Sequence, residues 1–543
     1  MSPTPAQREE TGSLQRAYLW ARVQLDGFRA DRWTYIKALW WRLFRKRVRS
    51  WSMIEPLIGK SPHAYALWQA RHNDVRISVR RDAAAGPVQI MIGLDLNGGQ
   101  NGLAETFASL GELGAHTVCA QLGAPGLDHI VTPQPPFWIC PLRPGDRLAA
   151  DSLAAYAAAA SATEKTIIYA DDDLLDDQGR RHAPHFKPGW NPELYRWHDF
   201  LSHSCLLRID DLAELNELVE RSDWVTELIA RRLASNPFNA AHLPQLLHHR
   251  RVRPSPRFPL PADTEQRPET LPAVTVIVPT RNRVELLRNC IDGLHRTSYP
   301  QLDLIVIDND SDDPATLTYL RDIAGKDCKI LPYHGAFNYA AMNNAAAAIA
   351  TGDLLCFLNN DIEMLDDDWL IHLVRQAVLP NVGAVGARLL YADGSIQHAG
   401  VVIGVGGGAA HAHRNLRPED EGYFARHNLP QFVSAVTAAC LVVRRDHFLA
   451  VGGFDEQRFP VAFNDVDLCL KLNEQGWQSF YEPRATLVHH ESKSRGKDSH
   501  RSNRDRFAAE LSALKTRWHT DAVTDPYHHP SLSQYSEQFV LRL

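Results

Sequence analysis

The chain has no CxxC pair, no apolar run of about 18 residues, no surplus of basic charge and no GxxxxGK[ST] phosphate loop. Each absence removes a class. The eight cysteines are scattered without metal spacing, so they read as small buried apolar residues of a reducing, cytoplasmic compartment. Without a long apolar run no membrane-spanning helix is expected, and the polar opening "MSPTPAQREETGSL" reads as no signal peptide. A formal net charge of −6 offers nucleic acid no basic face, so it is not an expected partner. The glycine string 404–409 continues into the polar "AHAHRNLRPEDEG" rather than an amphipathic helix, so it reads as a loop and not a dinucleotide fingerprint.

What is present is a soluble globular composition, 44% hydrophobic and 22% charged, spread over 543 residues. That length exceeds one ordinary core. Six prolines fall in 250–272; proline fixes φ and removes a donor, so this stretch reads as a linker. The expected division is a helical basic-aromatic segment at 1–60, an α/β domain at 61–249, the linker, an α/β domain at 273–500, and a helix and tail at 501–543. Within the first segment, residues 33–51 interleave aromatics with Arg42, Arg45, Lys46, Arg47 and Arg49. Such a helix suits peripheral contact with an anionic membrane surface, here the inner face of the inner membrane. It equally suits packing on its own protein with the basic face in water.

After the linker the text alternates strand and helix. "AVTVIVP" (273–279), "LDLIVID" (302–308) and "LLCFL" (354–358) are short apolar runs, separated by helical patterns. That alternation predicts a parallel sheet of βαβ units. Each run ends in a polar knot: "TRNR", "DNDSDD" and "NNDIE". In an open α/β sheet, ligands bind at the carboxyl ends of the strands, so the three knots are expected at one crevice. Carboxylates there would repel a diphosphate unless they hold a hard cation.

These motifs carry a resemblance. "VTVIVPTRNRVELLRNCI", "LDLIVIDNDSDD", "FNYAAMNNAA", "LCFLNNDIE", "GGFDE" and "FNDVDLCLKLNEQGW" resemble, in order, the motifs of glycosyltransferase family 2. These are inverting, nucleotide-sugar-dependent enzymes of the GT-A fold. "LLYADGSIQHAG" and "HHESKSRG" are similar to the bacterial O-antigen, rhamnosyltransferase-like branch. The resemblance implies Asp465 as the catalytic base, and Thr280, Arg281, Asp308 and Asn343 around the nucleotide. It implies Asp361 and His489 as ligands of Mn²⁺ or Mg²⁺. Asn359 stands where the family's DxD motif has its first aspartate, and an amide can ligate or bond the sugar but brings no charge. Asn359, Asp467 and His411 are sugar or acceptor candidates, with Asp467 also suited to capping or orienting. Glu363 is expected in a loop, helping the metal or capping the next helix. The His-x-His pair at His411 and His413 is a weaker zinc candidate. The implied partners are a UDP-, dTDP- or GDP-linked sugar donor and a glycan or lipid-linked acceptor.

The first half is fainter. "VQIMIGLDLNGG" and "IIYADDDLLDDQGRRHAPHFKPGW" resemble a second, degenerate GT-A-like domain, with Asp146 alone at the DxD position. Asp171, Asp172 and Asp173 read first as a solvated strand-end loop and second as metal ligands. Two alternatives stay open: a bifunctional two-site transferase, and a non-catalytic glycan-binding scaffold.

Overall fold

The computed structural model describes residues 5–72, 88–111, 118–122, 134–260, 271–325, 327–490 and 501–543. Part of the proline-rich stretch (261–270) and most of "HHESKSRG" (from 491) lie outside the described residues. The chain forms two compact units. The first is Met1–Pro256 with His528–Ser533 and Val540–Leu543; the second is Arg257–Tyr527 with Gln534–Phe539. The segment 501–543 is therefore shared out between the units rather than standing as a separate tail.

The first unit opens with helices α1 (Pro5–Ala30), α2 (Arg32–Leu43), α3 (Arg47–Ile58) and α4 (Ala64–His72). Asp31 starts α2 by accepting the Thr34 N–H at 3.0 Å, satisfying a donor that the helix itself cannot. Leu19, Val23, Ala38, Ile54, Ile58 and Leu67, drawn from all four helices, close one small core. Eight strands follow: β1 (Ile90–Asp95), β2 (Val118–Leu122), β3 (Phe137–Leu142), β4 (Arg147–Leu148), β5 (Ile167–Leu175), β6 (Arg181–His185), β7 (Cys205–Ile209) and β8 (Ala240–Arg250). Their order is β2-β1-β3-β7-β5-β8-β4, with β6 on β5.

Asp171, Asp172 and Asp173 are not in a solvated loop. They lie within β5 and are buried, because cations come in with them. Lys187 Nζ is 2.9 Å from Asp172 Oδ2 with both side chains buried. Arg253 reaches Asp172 Oδ1 at 2.9 Å, and Arg181 reaches Asp173 at 2.6 Å. Burial alone would raise the Asp172 pKa, but Lys187, Arg253 and Arg250 outweigh it and hold the carboxyl well below its usual range.

The second unit holds β9 (Val274–Thr280), β10 (Leu302–Asp308), β11 (Cys328–Pro332), β12 (Leu354–Leu358), β13 (Ile362–Met364), β14 (Val382–Leu390), β15 (Ile396–His398), β16 (Val401–Ile403), β17 (Ala409–His411), β18 (Gln431–Val433), β19 (Cys440–Arg444) and β20 (Gln478–His489). The main sheet runs β11-β10-β9-β12-β19-β14-β20-β13. The first four strands are parallel, as the βαβ pattern predicts. The sheet as a whole is mixed, because β19 runs antiparallel to both of its neighbours. Helix Arg501–Trp518 adds Leu514 to the core built on Ile277, Phe357 and Leu441.

The two sheets share a strand order. Leaving out β11 and β18, which pairs with β20, the order β10-β9-β12-β19-β14-β20-β13, with β15 on β14, repeats that of the first unit strand for strand. The pair directions repeat as well: β5–β8 and β14–β20 are parallel, and β3–β7 and β12–β19 antiparallel.

Candidate active site

In the second unit, β9 and β10 end level, with Thr280 paired in register with Asp308, and β12 lies on the other side of β9. Beyond these ends is a cleft of ≈ 710 Å³ whose lining includes Thr280, Arg281, Asn359, Asp361, His411, Asp465 and His489. Six of these came from the sequence as nucleotide, metal, sugar and base candidates, and His411 came as an acceptor candidate.

The loop after β9 is held in an unusual conformation. Asn282 and Arg283 have φ of 56° and 57°, a left-handed region that costs non-glycine residues of order 1 kcal/mol or more. The Asn282 amide oxygen offsets this by accepting the N–H groups of Asp312 and Asp313, each at 3.0 Å. Arg281 and Arg283, on either side of Asn282, line the cleft.

After β12, Asn360 donates to Thr280 Oγ1 at 2.9 Å, joining two strand ends. The next strand, β13, pairs with β20 so that Ile362 faces His489. That register sets His489 Nε2 3.1 Å from Asp361 Oδ1. On the far side of the ring, Nδ1 is 2.7 Å from Gln397 Oε1. A proton on Nδ1, donated to that oxygen, leaves Nε2 as a lone pair, and the Asn359 amide approaches it at 3.3 Å. In that tautomer Nε2 and the Asp361 carboxylate, 3.1 Å apart, both offer lone pairs to one point, which suits a shared divalent cation. The donor set fits a metal.

Asp465 is the second residue of helix Asn464–Glu474, directly after Phe463, whose φ is 60°. Its carboxylate accepts Ala438 N–H at 3.1 Å and Val466 N–H at 2.8 Å. Burial pushes its pKa up, against the opposing pull of those bonds and of Thr437. The approach to it is braced by Glu510, which accepts the N–H groups of Val461 and Ala462 at 3.0 and 3.2 Å. His411 Nδ1 sits 2.8 Å from His398 Nδ1. Burial, with Arg414 adding to it, pushes the His411 pKa down to about 4, so its ring is neutral at physiological pH.

Several expected site residues lie elsewhere. Asn343 is buried in the interior of helix Tyr339–Ile349, donating to Tyr339 O at 2.8 Å. The cap at that helix start is Asn338. Asp467 is buried outside the lining, accepting Trp518 Nε1–H at 2.9 Å, with Arg517 Nε 3.3 Å away; it ties the C-terminal helix in place. Asp308 accepts Ser311 N–H at 3.1 Å and stands beside the cleft rather than in its wall. Glu363 is on strand β13, not in a loop, and pairs with His490 at 2.7 Å. His413 stacks on Phe539 at 4.4 Å and does not share the cleft with His411. Conversely, Gln397, Tyr391, Arg414 and Arg506 line the cleft without having been singled out. Gln397 lies inside the quoted "SIQHAG", whereas Arg506 belongs to no motif.

In the first unit, Asp171, His242 and His529 bring ligand atoms within 4.8 Å of one another. Here the donor pattern argues against a metal. Ser531 N–H donates to His529 Nδ1 at 3.0 Å, so the neutral ring carries its proton on Nε2, which faces Asp171 Oδ2 at 2.8 Å. His242 Nε2 reaches the other oxygen at 2.9 Å. The cluster is a carboxylate clamped between two imidazoles. Asp146 is buried elsewhere in this unit, accepting Arg143 N–H at 3.3 Å and Arg251 N–H at 2.9 Å, and burial pushes its pKa up to about 6.

Residues 275–450 match the family model described as Glycosyl transferase family 2. The uncharacterized protein y4gI of Sinorhizobium fredii is 39% identical over 417 residues, covering 69% of this chain and 46% of that one. The O-antigen biosynthesis protein RfbC of Myxococcus xanthus is 36% identical over 408 residues, covering 68% of this chain and 32% of that one. An N-acetylglucosaminyl-diphospho-decaprenol L-rhamnosyltransferase of Mycobacterium tuberculosis is 46% identical over 66 residues, 12% of this chain and 21% of that one. The chain thus spans less than half the length of each of these relatives. With strands β10, β12 and β19, nearly all of β9, and the loops that carry Thr280, Asn359 and Asp361 falling inside the matched segment, residues 275–450 of this chain are a glycosyltransferase family 2 segment.

Proposed function

We propose that the second unit transfers a sugar, with inversion, from a nucleoside diphosphate sugar to a surface polysaccharide or lipid-linked glycan. The observation that carries this reading is the joint presence of Asp361, His489 and Asp465 in the lining of one cleft. Asp361 and His489, with Asn359 beside them, would hold Mn²⁺ or Mg²⁺. Bound there, the cation supplies charge neutralisation to a departing diphosphate. Thr280, Arg281 and Asp308 stand at the strand ends where the nucleotide is expected. Asp465 takes the proton from the acceptor hydroxyl as that oxygen bonds to the anomeric carbon and the bond to the diphosphate breaks on the opposite face. Its raised pKa makes it a better base than an exposed aspartate. His411, neutral and half-buried, is placed to accept or donate one hydrogen bond to sugar or acceptor.

The first unit repeats the strand order but is read as a worn copy without a donor site. Where β9 ends in Thr280, β1 ends in Asp95, which is buried and paired with His203 at 2.8 Å. The reading is tested by a thermal-shift panel of UDP-, dTDP- and GDP-sugars with and without Mn²⁺, followed by donor hydrolysis. A metal-dependent shift and slow sugar release support it. No shift with any donor would instead favour the scaffold alternative.

A further inference from the structure

The outward face of α2 is apolar, and nothing in the transfer reading uses it. On a 3.6-residue period, Tyr35, Ala38 and Trp41 point inward; Ala38 is fully buried in the four-helix core. The opposite face carries Trp33, Ile36, Trp40 and Leu43 at spacings of three and four, with Phe44 just past the helix end. These are exposed by 82%, 48%, 50%, 78% and 56%. A soluble surface tolerates single exposed apolar side chains, but a contiguous stripe with two indoles marks a docking face.

The charge around the stripe identifies the occupant. Between Asp31 and Glu55 there are seven basic residues and no acidic one, in a chain whose net charge is −6. Lys37 lies on the same helix face; Arg45, Lys46, Arg47 and Arg49 follow directly and are exposed. Arg49 lies over the Trp41 ring at 4.6 Å and Arg42 near Trp51 at 5.6 Å, contacts between α2 and α3 that lie outside the stripe and leave Lys37, Arg45, Lys46 and Arg47 as its nearest cations. Indoles, aliphatic side chains and clustered cations on one face match the layered chemistry of a bilayer surface: acyl chains beneath, anionic headgroups above. An acidic protein or nucleic acid would meet the cations but leave the stripe in water.

We propose that α2 and the start of α3 form an interfacial docking surface for an anionic lipid bilayer. The stripe sinks to the headgroup–acyl boundary, and Arg45 to Arg47 pair with lipid phosphates. No helix among the described residues is long and apolar enough to cross a bilayer. The surface belongs to the first unit and stands independently of the chemistry assigned to the second.

The test is co-sedimentation of the full chain with vesicles of phosphatidylcholine alone or mixed with phosphatidylglycerol, alongside light scattering. Binding is expected only to the mixed vesicles and is expected to weaken with salt. The combined variant Arg45→Glu, Lys46→Glu, Arg47→Glu is expected to lose on the order of 100-fold in affinity, at about fivefold per basic residue. The variant Trp33→Ser, Trp40→Ser, Leu43→Ser, which alters only exposed side chains, is expected to lose at least as much with unchanged circular dichroism. Three results would overturn the proposal: no binding to mixed vesicles, binding indifferent to both variants, or a dimer that the serine variant converts to monomer. The last would assign the stripe to a second copy of the chain.

Discussion

The Nδ1 atom of His489 is 2.7 Å from Oε1 of Gln397, and a proton held on that nitrogen leaves Nε2 as the lone pair of the ring. Asp361 waits 3.1 Å from the other nitrogen. A residue that fixes a ligand's tautomer without touching the metal acts through the ligand's basicity and orientation.

Gln397→Leu is therefore expected to weaken Mn²⁺-supported nucleotide binding by about 10- to 100-fold. Nucleotide binding without metal should be unchanged. Calorimetric titration with and without Mn²⁺ checks this, and equal loss in both would make Gln397 a nucleotide contact instead.

Asp361→Ala is expected to act more strongly in the same assay, because it removes the only carboxylate of the "NND" turn. Its metal-free binding should remain close to that of the parent. A fall of the same size in both conditions would mean that Asp361 supports the β12–β13 turn rather than a cation.

The buried Lys187–Asp172 pair is expected to govern the stability of the first unit. Asp172→Asn leaves Lys187, Arg250 and Arg253 facing an uncharged partner, at a cost of about 3–5 kcal/mol. The sign of the pH effect follows from the depressed folded-state pKa. Its contribution is present above the unfolded value of about 3.9 and is lost as pH falls below that. Differential scanning calorimetry of the parent should show one transition weakening steeply below pH about 4, and the variant should lack that slope while melting earlier throughout. An unshifted melting point would remove the pair from the account.

Strand ends were the most legible part of this chain. The runs at Val274–Thr280, Leu302–Asp308 and Leu354–Leu358 are apolar, short and followed at once by polar residues, so both their type and the site beyond them could be read. The direction of β19 could not, since "CLVVR" reads the same either way and only its partners set it. Burial misled in two places. Asp171 to Asp173 look like a surface loop because the cations that meet Asp172, namely Lys187, Arg250 and Arg253, and the Arg181 that meets Asp173 all lie beyond the run itself and belong to other strands and loops. Asn343 matches a motif by letter, but its place in mid-helix turns its amide to the backbone of Tyr339. The repeated strand order of the two units is a property of non-local pairing, which no local pattern records.

The central claim is that Asp465 takes the proton from the acceptor. The measurement that tests it most directly is the pH dependence of kcat for the parent and for Asp465→Asn, with donor Kd measured in parallel. The substitution keeps size and removes only the ability to accept a proton, so kcat is expected to fall by about 10²- to 10⁴-fold. Donor Kd should stay within a few-fold, since the proposed role of Asp465 is on the acceptor and its carboxylate is held by Ala438 and Val466 N–H groups. The parent should show an acidic limb above the ordinary aspartate range, because burial raises this pKa and catalysis is lost as pH falls through it. The variant's residual activity should lack that limb. A variant that keeps most of its turnover, or that keeps the same acidic limb, would contradict the assignment.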